Sequence, residues 1–216
     1  MSNFTETEEF LKLETEYPIL KRARESFLGL RGLSCVVVDI ETTGLEPLNN
    51  EIIEIAALKI ARGEIEAPFN ALIKLDRPLP SEIVRLTGIS DEMLKEGEQK
   101  NFVFQRLFDF AKDLPLVAHN TDFDIPFLQH HLGKAMGKSL PNQSICTLKL
   151  SRNLLPGLPS HKLGKVAEHF KIPAPLTHRA LADAEITYQV WMKLAQILER
   201  EGISSLEELL KSGKLI

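Results

Sequence analysis

Cysteine is scarce in this 216-residue chain. Cys35 and Cys146 are its two, and they stand in no zinc-ligand or redox spacing. Cys35 lies in an apolar run and reads as a small buried hydrophobe. Long apolar runs are also missing. None exceeds four residues, the longest being Cys35–Val38 and Ile55–Leu58, against the roughly 20 that a membrane-spanning helix needs. The N-terminus is acidic and has no apolar stretch of the signal-peptide kind. The expectation is therefore a cytoplasmic protein with no membrane partner. Internal repeats and low-complexity linkers are absent. Acid is absent from residues 125–167, although the chain has 30 acidic residues. That stretch carries Lys134, Lys138, Lys149, Arg152, Lys162 and Lys165, with His130, His131 and His161. It reads either as a track for the phosphates of a nucleic-acid strand or as a basic solvated surface.

What remains is an ordinary globular composition, 44% hydrophobic and 26% charged. The length suggests one domain with an appendage. The net charge of -4 matches the surplus in residues 1–16, where Glu6, Glu8, Glu9, Glu14 and Glu16 face one base, Lys12. Residues 1–33 read as a helical extension, with a capping box at Thr5–Glu8 and a second helix from Pro18. The expected organisation is this extension, a main domain over 34–199, and a short helical tail over 200–216.

Within the main domain, Cys35-Val-Val-Val-Asp-Ile40 is β-branched and apolar, as in a strand buried on both faces. Ile52–Ile60 and Glu64–Leu75 read as two more strands, joined by a tight turn at Arg62-Gly63. Short helices are expected at Ser81–Leu86 and Ser90–Lys95. Phe104, Leu107, Phe108 and Ala111 recur at helical spacing between Asn101 and Leu114. Leu116–Ala118 reads as a short strand, Phe123–Met136 as a helix and the region near Ile145 as a brief strand. Leu163–Phe170 and Ala180–Glu199 complete the helices. Hairpin-joined strands followed by alternating helix and strand predict an α/β fold, a mixed sheet flanked by helices. Gly133–Ser139 imitates a phosphate-binding loop but is one residue short and follows a helix, so a glycine-capped helix end explains it better. Gln105–Phe110 resembles a sliding-clamp peptide, yet its amphipathic spacing points to core packing.

Three segments put acids where a fold gains little from them. In Asp39-Ile-Glu41-Thr-Thr-Gly-Leu45 the two carboxylates at i and i+2 of a strand share one face. They follow a buried run and so emerge toward the sheet's carboxyl end, where α/β sheets place ligands. A solvated strand end is the alternative. In His119-Asn120-Thr-Asp122-Phe-Asp124, Asp122 suits a helix cap, Asp124 a first-turn position favoured by the dipole, and Asn120 a local backbone brace. In His178-Arg-Ala-Leu-Ala-Asp183, the apolar pattern puts Asp183 on or beside the buried face of the last helix. An ideal helix would separate His178 from it by roughly 140°, so to act together His178 must stand in the preceding loop. Together Asp39, Glu41, Asp124 and Asp183 form an oxygen-only set suited to Mg²⁺ or Mn²⁺. Four acids around two cations about 3.5–4 Å apart is the arrangement for phosphoryl transfer to water, with His178 able to move a proton near neutrality.

In that order, these three segments resemble the motifs of DEDD-type 3′→5′ exonucleases. The histidine five residues before the last aspartate resembles the DEDDh branch. Leu86-Thr-Gly-Ile89 with Asp91-Glu-Met93 is also similar to it. The members most similar are the proofreading epsilon subunits of bacterial DNA polymerase III and the exonuclease domain of the Gram-positive replicative polymerase. The resemblance covers about residues 34–199. It implies a ribonuclease H-like fold with a five-stranded mixed sheet between helices. It implies two Mg²⁺ or Mn²⁺ ions held by Asp39, Glu41, Asp124 and Asp183, with Asp39 bridging, and His178 as general base. It implies that Thr42, Thr43 and Leu45 contact the 3′-terminal nucleotide, with Asn120 in support, and that the product is a 5′-nucleoside monophosphate. The expected substrate is the 3′ end of single-stranded DNA, with a DNA polymerase as possible partner. Short RNA as substrate, and a polymerase-associated adaptor role, are the alternatives.

Overall fold

The apolar run at Cys35 forms the middle of a sheet. In the structure, a computed structural model that describes residues 29–174 and 179–215, five strands pair in the order β3-β2-β1-β4-β5. They are β1 (Cys35–Thr42), β2 (Ile52–Ala61), β3 (Glu64–Leu72), β4 (Leu116–Ala118) and β5 (Ser144–Cys146). β1, β2 and β3 are antiparallel neighbours, and β4 and β5 run parallel to β1. This is the five-stranded mixed sheet that the sequence implied. At the β2–β3 turn Arg62 and Gly63 both have positive φ, 56° and 79°, the twist that a two-residue hairpin requires. The helices expected within 1–28, and His178, lie outside the described residues.

Strand periodicity sorts the core into two layers. Cys35 and Val37 share a cluster with Ala56, Leu58 and Ile60, packed against α7 (Ala180–Arg200) through Val190, Trp191, Leu194 and Leu198. Val36, Val38 and Ile40 face the other way, onto α3 (Lys100–Ala111) and α4 (Thr121–Met136) through Phe104, Leu107, Phe127 and Leu132. Trp191 is wholly buried; truncating such a side chain to alanine costs about 3–5 kcal/mol. Both cysteines are free and buried, and burial pushes the Cys35 thiol up to about 12. Leu30 is buried, and the Arg31 N–H and guanidinium both bond the Glu199 carboxylate on α7 at 2.9 and 2.7 Å. The chain just before β1 is thereby tied to the domain.

The remaining elements are α1 (Ser81–Thr87), α2 (Asp91–Lys95), α5 (Thr147–Leu154), α6 (Leu163–His169) and α8 (Leu206–Lys211). Four details differ from the sequence expectation. β3 ends at Leu72 rather than Leu75, after which Ile73 makes a single bridge to Glu98. α4 begins at Thr121 rather than Phe123, so Asn120, in the left-handed region at φ 89°, is its N-cap and Asp122 lies inside the first turn. Asp122 is therefore not the cap; its carboxylate pairs with Lys149 at 3.0 Å. α5 has no counterpart in the sequence pattern, because it is only eight residues long and two of its three buried positions, Thr147 and Ser151, are polar. Gly133–Ser139 closes α4, with Gly137 as a left-handed C-cap. In Gln105–Phe110, Leu107 is buried and Phe110 packs on Phe69, as core packing requires. Among the described residues no helix is long and apolar enough to cross a membrane.

Candidate active site

The same alternation that buries Cys35 and Val37 toward α7 carries Asp39 and Glu41 onto that face at the end of β1. Asp183 stands in the first turn of α7. Carboxylate oxygens of Asp39, Glu41 and Asp183 lie within 4.8 Å of one another. Asp124 enters from the first turn of α4 and is 4% exposed. Its place there is more than a dipole preference, since a buried acid this close to others must be stabilised by something else.

The cost appears in the acidities. Burial raises the Asp39 carboxyl well above the usual range, and the charges of Asp124, Asp183, Glu41 and Glu54 add to it. Burial, then Asp183 and Glu54, pushes Glu41 up to about 7, while Arg179 pulls the other way. Burial and Glu41 push Asp124 up to about 8, against the backbone N–H groups of Asp124 and Ile40 that face it. Acids that raise one another in this way are relieved by a shared cation. The donors are all oxygen, so a hard divalent ion fits the set.

The nearest fixed cation is engaged elsewhere. Arg179 donates from Nε and from a terminal guanidinium nitrogen to the Glu54 carboxylate at 3.1 and 2.8 Å, and the Ala180 N–H donates to the same group at 3.1 Å. Glu54 is fully buried and sits opposite Glu41 in the β1–β2 register. This clamp fixes the start of α7 beside β1 and β2. It was not read from the sequence, although an acid between Ile53 and Ile55 in a buried strand was a visible signal.

The loop after β1 closes on itself. Thr42 Oγ1 donates to the Gly44 carbonyl at 2.6 Å, and Thr43 Oγ1 accepts from the Glu51 N–H at 3.0 Å and lies 3.3 Å from Asn50 Oδ1. Gly44 is pressed against the Asn50 side chain, where a Cβ would collide. Both threonine hydroxyls are thus committed inside the loop. Leu45 and Leu48, 79% and 80% exposed, project from it. The loop is braced from below by His131, 1% exposed, whose Nε2 bonds the Asn50 carbonyl at 2.9 Å while its ring stacks between Phe104 and Phe127. Glu51 pairs with Lys100 beside it. The sequence does not show this brace, because its members come from three separate segments.

On the other flank, His119 Nδ1 lies 2.9 Å from Thr147 Oγ1 and Nε2 bonds the His161 carbonyl at 2.9 Å. Burial drives the His119 ring down to about 4, so it is neutral near pH 7. It holds the segment that leads into Asn120 and Asp124. The structure therefore assembles Asp39, Glu41 and Asp183, with Asp124 in electrostatic reach, at the carboxyl edge of β1 and β4. Thr42, Thr43, Leu45 and Asn120 border that edge.

A mixed sheet carrying four acids at its switch point, two from the central strand and one from each flanking helix, defines a class of metal-site α/β proteins. The family described as Exonuclease matches residues 36–191, and the chain belongs to it. It is 39% identical over 185 residues to DNA polymerase III PolC-type of Caldanaerobacter subterraneus subsp. tengcongensis, covering 86% of this chain and 13% of that one. It is 34% identical over 163 residues to DNA polymerase III subunit epsilon of Aquifex aeolicus, covering 76% of this chain and 81% of that one. The chain thus spans about an eighth of the length of that PolC-type relative. In fold it is similar to E. coli Exonuclease I in complex with a dT13 oligonucleotide, with TM-score 0.69, 19% identity and coverage of 79% of this chain and 42% of that one. It is also similar to Exonuclease X in complex with 5′ overhanging duplex DNA, with TM-score 0.62, 24% identity and coverage of 82% and 98%.

Proposed function

We propose that this chain is a metal-dependent 3′→5′ exonuclease that removes the 3′-terminal nucleotide of single-stranded DNA as a 5′-monophosphate, as a proofreading unit of a replicative polymerase. The observation that carries the reading is the convergence of Asp39, Glu41 and Asp183 within 4.8 Å, in a chain of the Exonuclease family. The relatives named as polymerase III proteins support the proofreading setting, and the fold neighbours bound to DNA support the substrate class.

In this reading Asp39, Glu41, Asp124 and Asp183 are the residues that would hold two Mg²⁺ or Mn²⁺ ions. Bound cations of this kind neutralise charge on a scissile phosphate and lower the pKa of water. His178 takes the proton of the attacking water. The water oxygen bonds to phosphorus, the bond to the preceding nucleotide's 3′-oxygen breaks, and that oxygen takes a proton from solvent water and leaves as the 3′-hydroxyl. Thr42 and Thr43 shape the surface against which the terminal nucleotide rests, since their hydroxyls and the Thr43 N–H are already bonded within the loop. Leu45 packs on its base, and Asn120 sets the entry of α4 and hence the position of Asp124. The Glu54–Arg179 clamp keeps the start of α7 in register with β1.

The test is a time course on 5′-labelled single-stranded DNA and RNA of matched sequence, in Mg²⁺, Mn²⁺ or EDTA, beside Asp39→Asn. The expected result is a ladder that shortens from the 3′ end, needs metal, is faster on DNA and is lost in the variant. Intact strands in both metals would sink the reading. Faster digestion of RNA would reassign the substrate.

A further inference from the structure

The acid-free stretch does not act as one surface. Lys138 lies over the Phe108 ring, 4.4 Å from its centroid, and Lys165 pairs with Glu168 at 2.7 Å. Lys134 is at the far end of α4, where its charge acts on Glu51. Three cations gather elsewhere. β4 and β5 run parallel to β1, so their carboxyl ends reach the edge that holds the acids, and α5 starts from that edge directly after Cys146. Lys149, in the first turn of α5, reaches Asp122 at the start of α4. Arg152, one turn on, sits close enough to act on the His119 ring. Its neighbour Ser151 bonds the His161 ring at 3.1 Å, and the His161 carbonyl accepts from His119. Lys162 follows His161 directly. His119 and Asp122 are thus the points on which α5 and the loop before α6 converge. Arg152 and Lys162 are exposed and have no acidic partner among the described residues.

We propose that Arg152 and Lys162, with Lys149 beside them, form a track that holds the phosphates of the single-stranded DNA upstream of the scissile bond, on the β4–β5 side of the carboxylates. This rests on the exonuclease reading for the identity of the strand. The carboxylate end of the sheet repels a polyanion, so a strand entering it needs compensating cations close by. These two have no acidic partner among the described residues, stand within two residues of groups bonded to His119 or to its partners, and lie outside the carboxylate set. Because the track holds phosphates, it reads length rather than sequence.

The test is binding of 5′-fluorescent dT12 and dT2 by anisotropy in EDTA across a salt series. It compares the wild-type chain with Arg152→Gln/Lys162→Gln and with Lys138→Gln/Lys165→Gln, which removes two cations off the track. Neutralising two cations that hold phosphates of a single strand lowers the log–log salt slope by about 1.4 and weakens dT12 binding about tenfold or more at low salt. The dinucleotide, too short to reach the track, should bind both double variants and the wild type alike. An unchanged slope for Arg152→Gln/Lys162→Gln overturns the proposal, as does an equal loss in the off-track variant. Because anisotropy needs no turnover, a chain that binds through the track but never shortens a strand in Mg²⁺ or Mn²⁺ would sink the exonuclease reading alone. A chain that digests strands, yet keeps the wild-type salt slope in the variant, would sink the track alone.

Discussion

Glu54 and Arg179 form the ion pair that ties the central sheet to the start of α7. The carboxylate is fully buried on β2, opposite Glu41, and takes two bonds from the guanidinium and one from the Ala180 N–H. The arginine side chain keeps 35% of its exposure. The pair therefore sets the distance between Glu41 on the sheet and Asp183 on the helix, four residues after Arg179.

The asymmetry of that pair predicts unequal costs. Arg179→Met strands a buried carboxylate and should cost about 3–5 kcal/mol of stability. Glu54→Gln leaves an arginine that can still reach water and should cost less. Denaturant unfolding of both variants and of the double variant measures this. Equal single costs, or additivity in the double, would show that the two groups act separately.

The acid cluster makes the metal-free protein less stable as pH rises. The Asp124 carboxyl titrates at about 8 in the folded chain, against about 4 when unfolded. Between these values the folded state holds a proton that the unfolded state has lost, so stability falls through this window. In EDTA, Asp124→Asn should melt above the wild type at pH 8 and level with it near pH 4. Shifts at His119 and His131 are common to both chains and cancel in the comparison. A constant difference across the window would refute the account.

Divalent metal should reverse that penalty. Ligand at about 100 times its Kd stabilises the folded state by about 2.7 kcal/mol. Thermal melts with and without Mn²⁺ should show a rise in the wild type that is mostly lost in Asp39→Asn and in Asp183→Asn. An undiminished rise in both would place the metal elsewhere.

Leu45 is 79% exposed, so its truncation removes little packing from the folded state. Leu45→Ala should change stability by no more than about 0.5 kcal/mol. If the side chain packs on the terminal base, kcat/KM on single strands should fall about tenfold, since an apolar contact of this size is worth about 1–3 kcal/mol. Unchanged kinetics would remove Leu45 from the site.

His131 braces the loop that carries Leu45. His131→Phe keeps the stack on Phe104 and Phe127 but leaves the Asn50 carbonyl without its donor, at a cost of about 1–3 kcal/mol. The loop should loosen, and KM for the strand should rise more than kcat falls. A loss confined to kcat would mean that the histidine acts on the reaction and not through the loop.

The sequence by itself determined the sheet and the acids on it. The β-branched run at Cys35, the Arg62-Gly63 turn and the helical spacing on α7 are local patterns, and local patterns survive in one dimension because backbone periodicity decides which face each residue takes. For the same reason the two-residue spacing of Asp39 and Glu41 is enough to put both on one face. Tertiary packing decided what surrounds them. Asp124 reads as a first-turn acid that suits both the helix dipole and the oxygen-only set, and packing decides that it is buried beside the other acids. Glu54 acquires a role only when the chain returns 125 residues later with Arg179. His131 meets Asn50 across 81 residues, and Lys149 reaches Asp122 across 27. Pairings between distant segments depend on how whole elements pack, and no periodicity within a single element encodes that.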